Sequence, residues 1–467
     1  MLKLAPALLA LLAVPVSAQP ITAAESAKID RIVTSALAAE QVPSASIAVV
    51  RDGRIVLTKA YGKASDTLAA NPALPYQIAS NSKQFTAMAL LLLEDEGKLS
   101  LDDHVGKYLP GISGGDRITL RQLLSHTSGL QDFWPQDYSF EAMSRPTAPQ
   151  GIVDQWAKKP LDFQPGDQWQ YSNTGYVVAG MIAEKVSGEP LMTYLTRKIF
   201  KPLGMTSVRD QDDTNTPAYP VGYGRYALGP IRPVTPPARG WLYAAGELSM
   251  TAEDLAKWDI ARIDRTLIPA DDWAAQETEV KLNDGKGTGY GLGVSVRPAN
   301  GHRAVRHTGE AVGFLSANTV FPDDRAAVVV LTNTWSSGAY TRIARDIANL
   351  ILPQAPGAPG ADPVVTAQAA RAHAVYDQLR AGRLDRSQLT RNANYYFNNQ
   401  AVADYRSSLA PLGEPVAFEP SGPPVLRGGF VIQGYTVKYP GRTLNLSTFY
   451  EPGADGRIEQ FLVTPGE

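Results

Sequence analysis

Apolar residues recur at helical spacing in a few well-separated stretches of the 467-residue chain. The first follows Thr22-Ala-Ala-Glu25, a capping-box pattern in which each side chain closes a free backbone N–H of the other. It sets Ile29, Ile32, Val33, Ala36 and Leu37 on one helical face. Residues 46–50 and 55–60 are β-rich and are joined by Arg51-Asp52-Gly53-Arg54, where Asp-Gly predicts a hairpin turn. A second helix starts near Ser80, with Phe85, Met88, Leu91 and Leu92 at helical spacing and Gly97 at its end. Residues 100–240 mix short helices with many proline and glycine turns. Apolar runs at 291–296, 314–321 and 326–331 read as strands of an antiparallel sheet, and 340–350 as a closing helix.

The clearest break follows at 353–363, where four prolines in eleven residues hold the backbone extended and bar both helix and central strand. Residues 364–467 begin helical, at 365–379 and 399–409, and end in strands at 430–439, 443–450 and 458–463. The expected organisation is a main domain over 19–352, a linker over 353–363 and a small α+β domain over 364–467. The expected fold class is α+β: an antiparallel sheet flanked by helices, an all-helical subdomain, and the small C-terminal domain.

Residues 1–18 are set apart from this scheme. Lys3 precedes an apolar run with Leu8, Leu9, Leu11 and Leu12 at its centre, and Val16-Ser17-Ala18 presents small side chains before Gln19. That is the pattern of a cleaved export signal, too short and too proline-containing for a bilayer span. With 0 cysteines, disulfides, thiol nucleophiles and cysteine metal sites are excluded together. An exported, disulfide-free chain without a stable membrane anchor fits a bacterial periplasm or exterior. A net charge of -2 provides no basic excess for a nucleic-acid backbone. Five histidines without paired spacing, and no phosphate-cradling glycine loop, argue against a metal site and against a cofactor.

Three short elements carry candidate chemistry. Ser80-Asn-Ser-Lys83 puts a hydroxyl and an amine on one face of a helix start, where the amine can take the hydroxyl proton if its pKa is lowered. Alone, it reads as a capping serine beside a solvated lysine. Tyr171-Ser-Asn173 offers a phenol for proton relay and an amide that can donate to a carbonyl and accept from an ammonium; alone, it is a turn. His307-Thr308-Gly309 opens a strand-like stretch. Thr308 offers a hydroxyl, Gly309 lets a substrate approach the backbone, and the N–H of Glu310 is a candidate oxyanion donor beside that of Ser80.

Taken together and in this order, the three motifs resemble the signature set of class C β-lactamases and their relatives, the D-aminopeptidases, low-molecular-weight D,D-carboxypeptidases and esterases of the same fold. The resemblance covers roughly residues 25–352. It implies a hydrolase with Ser80 as acylated nucleophile, and Lys83 and Tyr171 as the acid–base pair. It further implies Asn173, His307, Thr308 and Gly309 at the substrate, and an oxyanion hole from the N–H groups of Ser80 and Glu310. Position 307 departs from the pattern: β-lactamases of this class present lysine there, whereas histidine of ordinary pKa is mostly neutral at pH 7. This favours a D-amino-acid peptidase or an esterase over a β-lactamase or D,D-carboxypeptidase. A protein of another class, a penicillin- or peptidoglycan-binding sensor that acylates and stalls, would carry the same motifs. The expected partner is a small molecule or short peptide. The C-terminal domain is a candidate for self-association or partner binding.

Three further segments receive structural readings. Gly111-Ile-Ser113-Gly-Gly115 matches a nucleophile-elbow pattern but lacks the strand before it and the helix after it. His126 reads as a helix C-terminal cap. Arg427-Gly-Gly-Phe430 reads as a β-turn.

Overall fold

The structure is a computed structural model that describes residues 20–299, 301–335, 337–352, 367–421, 424–427, 429–451 and 456–466. The expected export signal at 1–18 and linker at 353–363 lie outside them.

Five antiparallel strands form the central sheet: β1 (Ser44–Arg51), β2 (Arg54–Gly62), β3 (Val305–Ala311), β4 (Phe314–Phe321) and β5 (Ala326–Thr332), in the order β2-β1-β5-β4-β3. The β1–β2 turn places Asp52 and Gly53 at φ 53° and 72°, the double positive φ that Asp-Gly tolerates. Helices α1 (Ala23–Glu40) and α2 (Lys83–Asp95) follow the expected patterns, and the Thr22–Glu25 capping box is formed. The sheet is covered on both faces. Ile47 and Val49 of β1 and Val328 and Val330 of β5 pack with Ile29 and Val33 of α1. Ala48 and Val50 turn the other way, into a larger core with Phe85 and Met88 of α2 and with the helical region.

The run at 291–296 is not a strand. Gly293 takes φ 77° and its backbone lies against Lys83, so Tyr290 and Ser295 bridge across a tight turn. The apolar Leu292 and Val294 serve burial in that turn, not strand pairing.

A second core lies in the C-terminal part. Val375, Tyr376, Leu379, Tyr405 and Leu409 pack on Tyr435, Val437 and Phe461. Its strands are β6 (Ala417–Pro420), β7 (Val425–Arg427), β8 (Phe430–Tyr439), β9 (Arg442–Tyr450) and β10 (Ile458–Pro465), in the order β6-β8-β9-β10 with β7 paired to β8. This unit docks on the segment 131–141. The Tyr138 hydroxyl donates to the Glu459 carbonyl, Gln460 Nε2 donates to Asp137 Oδ2 at 2.9 Å, and Tyr138 stacks on Tyr396 at 4.6 Å between ring centroids.

Candidate active site

Ser80 lies in a short 3₁₀ turn, Ala79–Ser82, that feeds α2. The turn is entered through Ala79 at φ 48°, a left-handed conformation that costs a non-glycine residue energy and persists only where its surroundings hold it. In such a turn residues three apart eclipse one another. Lys83 therefore reaches back, with Nζ 3.0 Å from Ser80 Oγ.

Lys83 is fully buried, and burial drives its pKa well down; Asp132 opposes the shift and Arg427 adds to it. Nζ also donates to Asn173 Oδ1 at 2.8 Å and to the Ala245 carbonyl at 2.7 Å. Those two acceptors can only accept, so they fix two of its hydrogens. The remaining tetrahedral position faces Ser80: an N–H in the ammonium, a lone pair in the amine.

Asn173 opens helix α3 (Asn173–Ser187), which Ser172 caps. Its orientation is set by Asp132, whose Oδ1 accepts from Asn173 N at 3.0 Å and from Nδ2 at 3.1 Å. The amide oxygen is thereby left to Lys83. Tyr171 precedes this cap. Its phenol pKa is raised by burial, and lowered in turn by a hydrogen bond with Ser80 and by Arg427. Two basic groups lie by the ring: Lys83 Nζ at 4.9 Å and Arg427 Cζ at 4.8 Å from its centroid.

Strand β3 forms another wall. Thr308 and Glu310 face the cleft, while His307 and Gly309 point inward. The His307 Nδ1–H donates to the Thr308 carbonyl at 2.5 Å, and Nε2 accepts from the Tyr290 hydroxyl at 2.8 Å. Burial first, and Lys83 second, press its pKa down to about 3. His307 is therefore neutral, and the strand offers no histidine cation. Gly309 meets a different demand from close substrate approach. A Cβ there would stand 2.0 Å from the Ile78 carbonyl oxygen, so glycine lets β3 lie against the segment that carries Ser80.

Ser80, Tyr171, Asn173, His307, Thr308 and Glu310 line one cavity of about 190 Å³. Trp134, Gln136, Asp137, Leu242, Trp335 and Arg427 complete its walls. Burial pushes the Asp137 carboxyl up. Glu310 opens onto the cleft, where the enclosing walls and Asp137 also push its carboxyl up. A wider hollow of about 900 Å³ adjoins it past Tyr171, His307 and Thr308, lined also by Trp169, Tyr290 and Val425.

Sequence reasoning missed three residues here. Arg427 does end strand β7 beside a tight turn, as its glycines indicate, but its side chain enters the cavity. Asp132 is buried beneath Asn173 and carries no motif. His126 sits just past a helix end at φ 62°, yet it also packs 4.2 Å from the Tyr171 ring, and its Nδ1 accepts from the Ser172 N–H at 3.1 Å. The Ser125-His-Thr-Ser-Gly129 run was the only local signal for it.

Known proteins are similar to this chain in sequence and fold. Protein PbpX of Bacillus subtilis (strain 168), named as a penicillin-binding protein, is 30% identical over 311 residues, which cover 66% of this chain and 75% of that protein. A D-stereospecific amidohydrolase from Streptomyces sp. superposes with a TM-score of 0.59 at 28% identity, covering 70% of this chain and 99% of the other. The octameric penicillin-binding protein homologue from Pyrococcus abyssi shares the fold over 94% of this chain and 99% of its own, with a TM-score of 0.61 at 23% identity. The family model described as Beta-lactamase matches residues 29–352, and the chain belongs to that family.

Proposed function

We propose that the chain is an exported serine hydrolase of the bacterial periplasm or exterior that cleaves an amide or ester bond through an acyl-enzyme on Ser80. The observation that carries this reading is the arrangement of Lys83, whose two fixed hydrogen bonds aim its third position at Ser80 Oγ. Burial supports the neutral amine, which accepts the Ser80 proton as Oγ attacks the substrate carbonyl carbon. The N–H groups of Ser80 and Glu310 receive the oxyanion. Tyr171, hydrogen-bonded to Ser80, passes the proton to the leaving amine or alkoxide and then assists water in deacylation.

The substrate we favour is a short D-aminoacyl amide or capped peptide, or a small acyl ester. Neutral His307 offers a substrate carboxylate no cation, and Arg427, the cation that lines the cavity, is already paired with Asp132. Asp137 and Glu310 would repel a carboxylate once ionised, and would hold an ammonium instead. The relative from Streptomyces, a D-stereospecific amidohydrolase, supports the same choice. A panel of D-aminoacyl amides, D-Ala-D-Ala peptides, β-lactams and p-nitrophenyl esters tests it. The highest kcat/KM is expected for an amide or ester without a carboxylate; a preference for β-lactams or D-Ala-D-Ala peptides would overturn it. Intact-mass spectra separate turnover from stalling: rapid return of the free enzyme is expected, and an adduct lasting hours would favour a sensor.

A further inference from the structure

We propose that Arg427, carried by the C-terminal unit, is a positioning residue that sets the proton affinity of the Lys83–Tyr171 pair. The proposal rests on the serine-hydrolase reading above. Arg427 ends strand β7, which pairs with β8 as Val425↔Ile432 and Arg427↔Phe430, and Gly429 turns the chain at φ 78°. From there the guanidinium crosses into the main domain. Nε donates to Asp132 Oδ2 at 2.9 Å, Nη2 donates to the Trp134 carbonyl at 3.2 Å, and Cζ lies 4.8 Å from the Tyr171 ring centroid.

Two routes lead from this cation to Ser80. One is direct: the guanidinium beside the Tyr171 ring favours the phenolate over the phenol, and it disfavours a second cation on Lys83. The other runs through hydrogen bonds, from Arg427 to Asp132, from Asp132 to Asn173, and from Asn173 Oδ1 to Lys83 Nζ. The Asp132 side chain is fully buried and that of Arg427 is 22% exposed, so solvent screens the pair weakly. The groups facing Tyr171 and Lys83 are thus Arg427, Asp132, Glu310, His126, His307, Tyr176 and Tyr290; both histidines are held neutral, and burial keeps the Tyr176 and Tyr290 phenols protonated. With His307 neutral, Arg427 is the fixed cation among the cavity's described residues. The docking contacts of Tyr138, Asp137 and Gln460 brace the same 131–141 segment that carries Asp132 and Trp134. The C-terminal unit therefore reaches the catalytic centre with the Arg427 side chain.

The test uses the full-length protein and a small uncharged alkyl fluorophosphonate, whose phosphorus is attacked by Ser80 Oγ with loss of fluoride. The second-order labelling rate is measured against pH for wild type, Ser80→Ala, Arg427→Met and Arg427→Lys. In wild type the rate rises with pH as the base loses its proton. Removing the cation raises the base's pKa, so in Arg427→Met that limb moves up by about one pH unit. At the foot of the limb the rate then falls about tenfold, and at high pH it recovers. Arg427→Lys, which keeps the charge, restores most of the wild-type profile. A limb that stays in place in Arg427→Met would overturn the proposal, even if that variant melts earlier, because a merely structural staple moves stability and not the profile. Equal labelling of wild type and Ser80→Ala would instead overturn the underlying reading, and the proposal with it.

Discussion

Arg427 Nε and Asp132 Oδ2 are 2.9 Å apart, although 295 positions separate the two residues in the chain. The pair joins the C-terminal unit to the residue that orients Asn173. Removing one member leaves the other charged in a poorly hydrated site, at a cost of about 3 kcal/mol. Asp132→Asn and Arg427→Met should each lower Tm, and the double variant should lose less than the sum of the two. Strict additivity in thermal melts would show that the two side chains do not couple.

Lys83 is the proposed base. Lys83→Met removes the amine while keeping most of the side-chain volume. Fluorophosphonate labelling of Ser80 should fall on the order of 10³-fold, the scale of a lost general base. Labelling within a few-fold of wild type would assign the proton to Tyr171 alone.

Gly309 is required by packing against the Ile78 carbonyl, 2.0 Å from where a Cβ would stand. Gly309→Ala should push the Ser80 turn off β3. The expected cost is about 2 kcal/mol in stability, with slower Ser80 labelling as well. Unchanged melting and unchanged labelling would show that the strand moves aside freely.

His307 makes the fold sensitive to acid. Its pKa is about 3 in the folded chain against an ordinary 6.5, so between these values the unfolded chain binds the extra proton. The stability held above pH 6.5 is lost as pH falls toward 3. His307→Gln should therefore lose less Tm than wild type between about pH 7 and about pH 4. Equal losses would mean that His307 already carries charge near neutrality. His307→Lys tests the same site for specificity: with a cation at position 307, kcat/KM for a carboxylate-bearing substrate should rise about tenfold relative to a neutral ester.

Much of this was legible in the sequence, because the informative contacts are local. Ser80 and Lys83 are three residues apart, the Thr22–Glu25 box closes on itself, and Asp52-Gly53 selects its own turn. The ordered motifs then placed Tyr171, Asn173 and His307 in one site without any distance being known. The misses have a common cause. Arg427, Asp132 and His126 act through partners remote in the chain, and their local patterns (a turn, a loop, a helix end) are satisfied without that role. The strand expected at 291–296 failed for a related reason, since an apolar run records burial and not the turn at Gly293 through which it is achieved.

Whether Ser80 is the nucleophile is read by intact-mass spectrometry with peptide mapping after fluorophosphonate treatment. One added phosphonyl group is expected on wild type, mapped to Ser80, and none on a folded Ser80→Ala variant. An adduct on another residue, or equal modification of the variant, would contradict it.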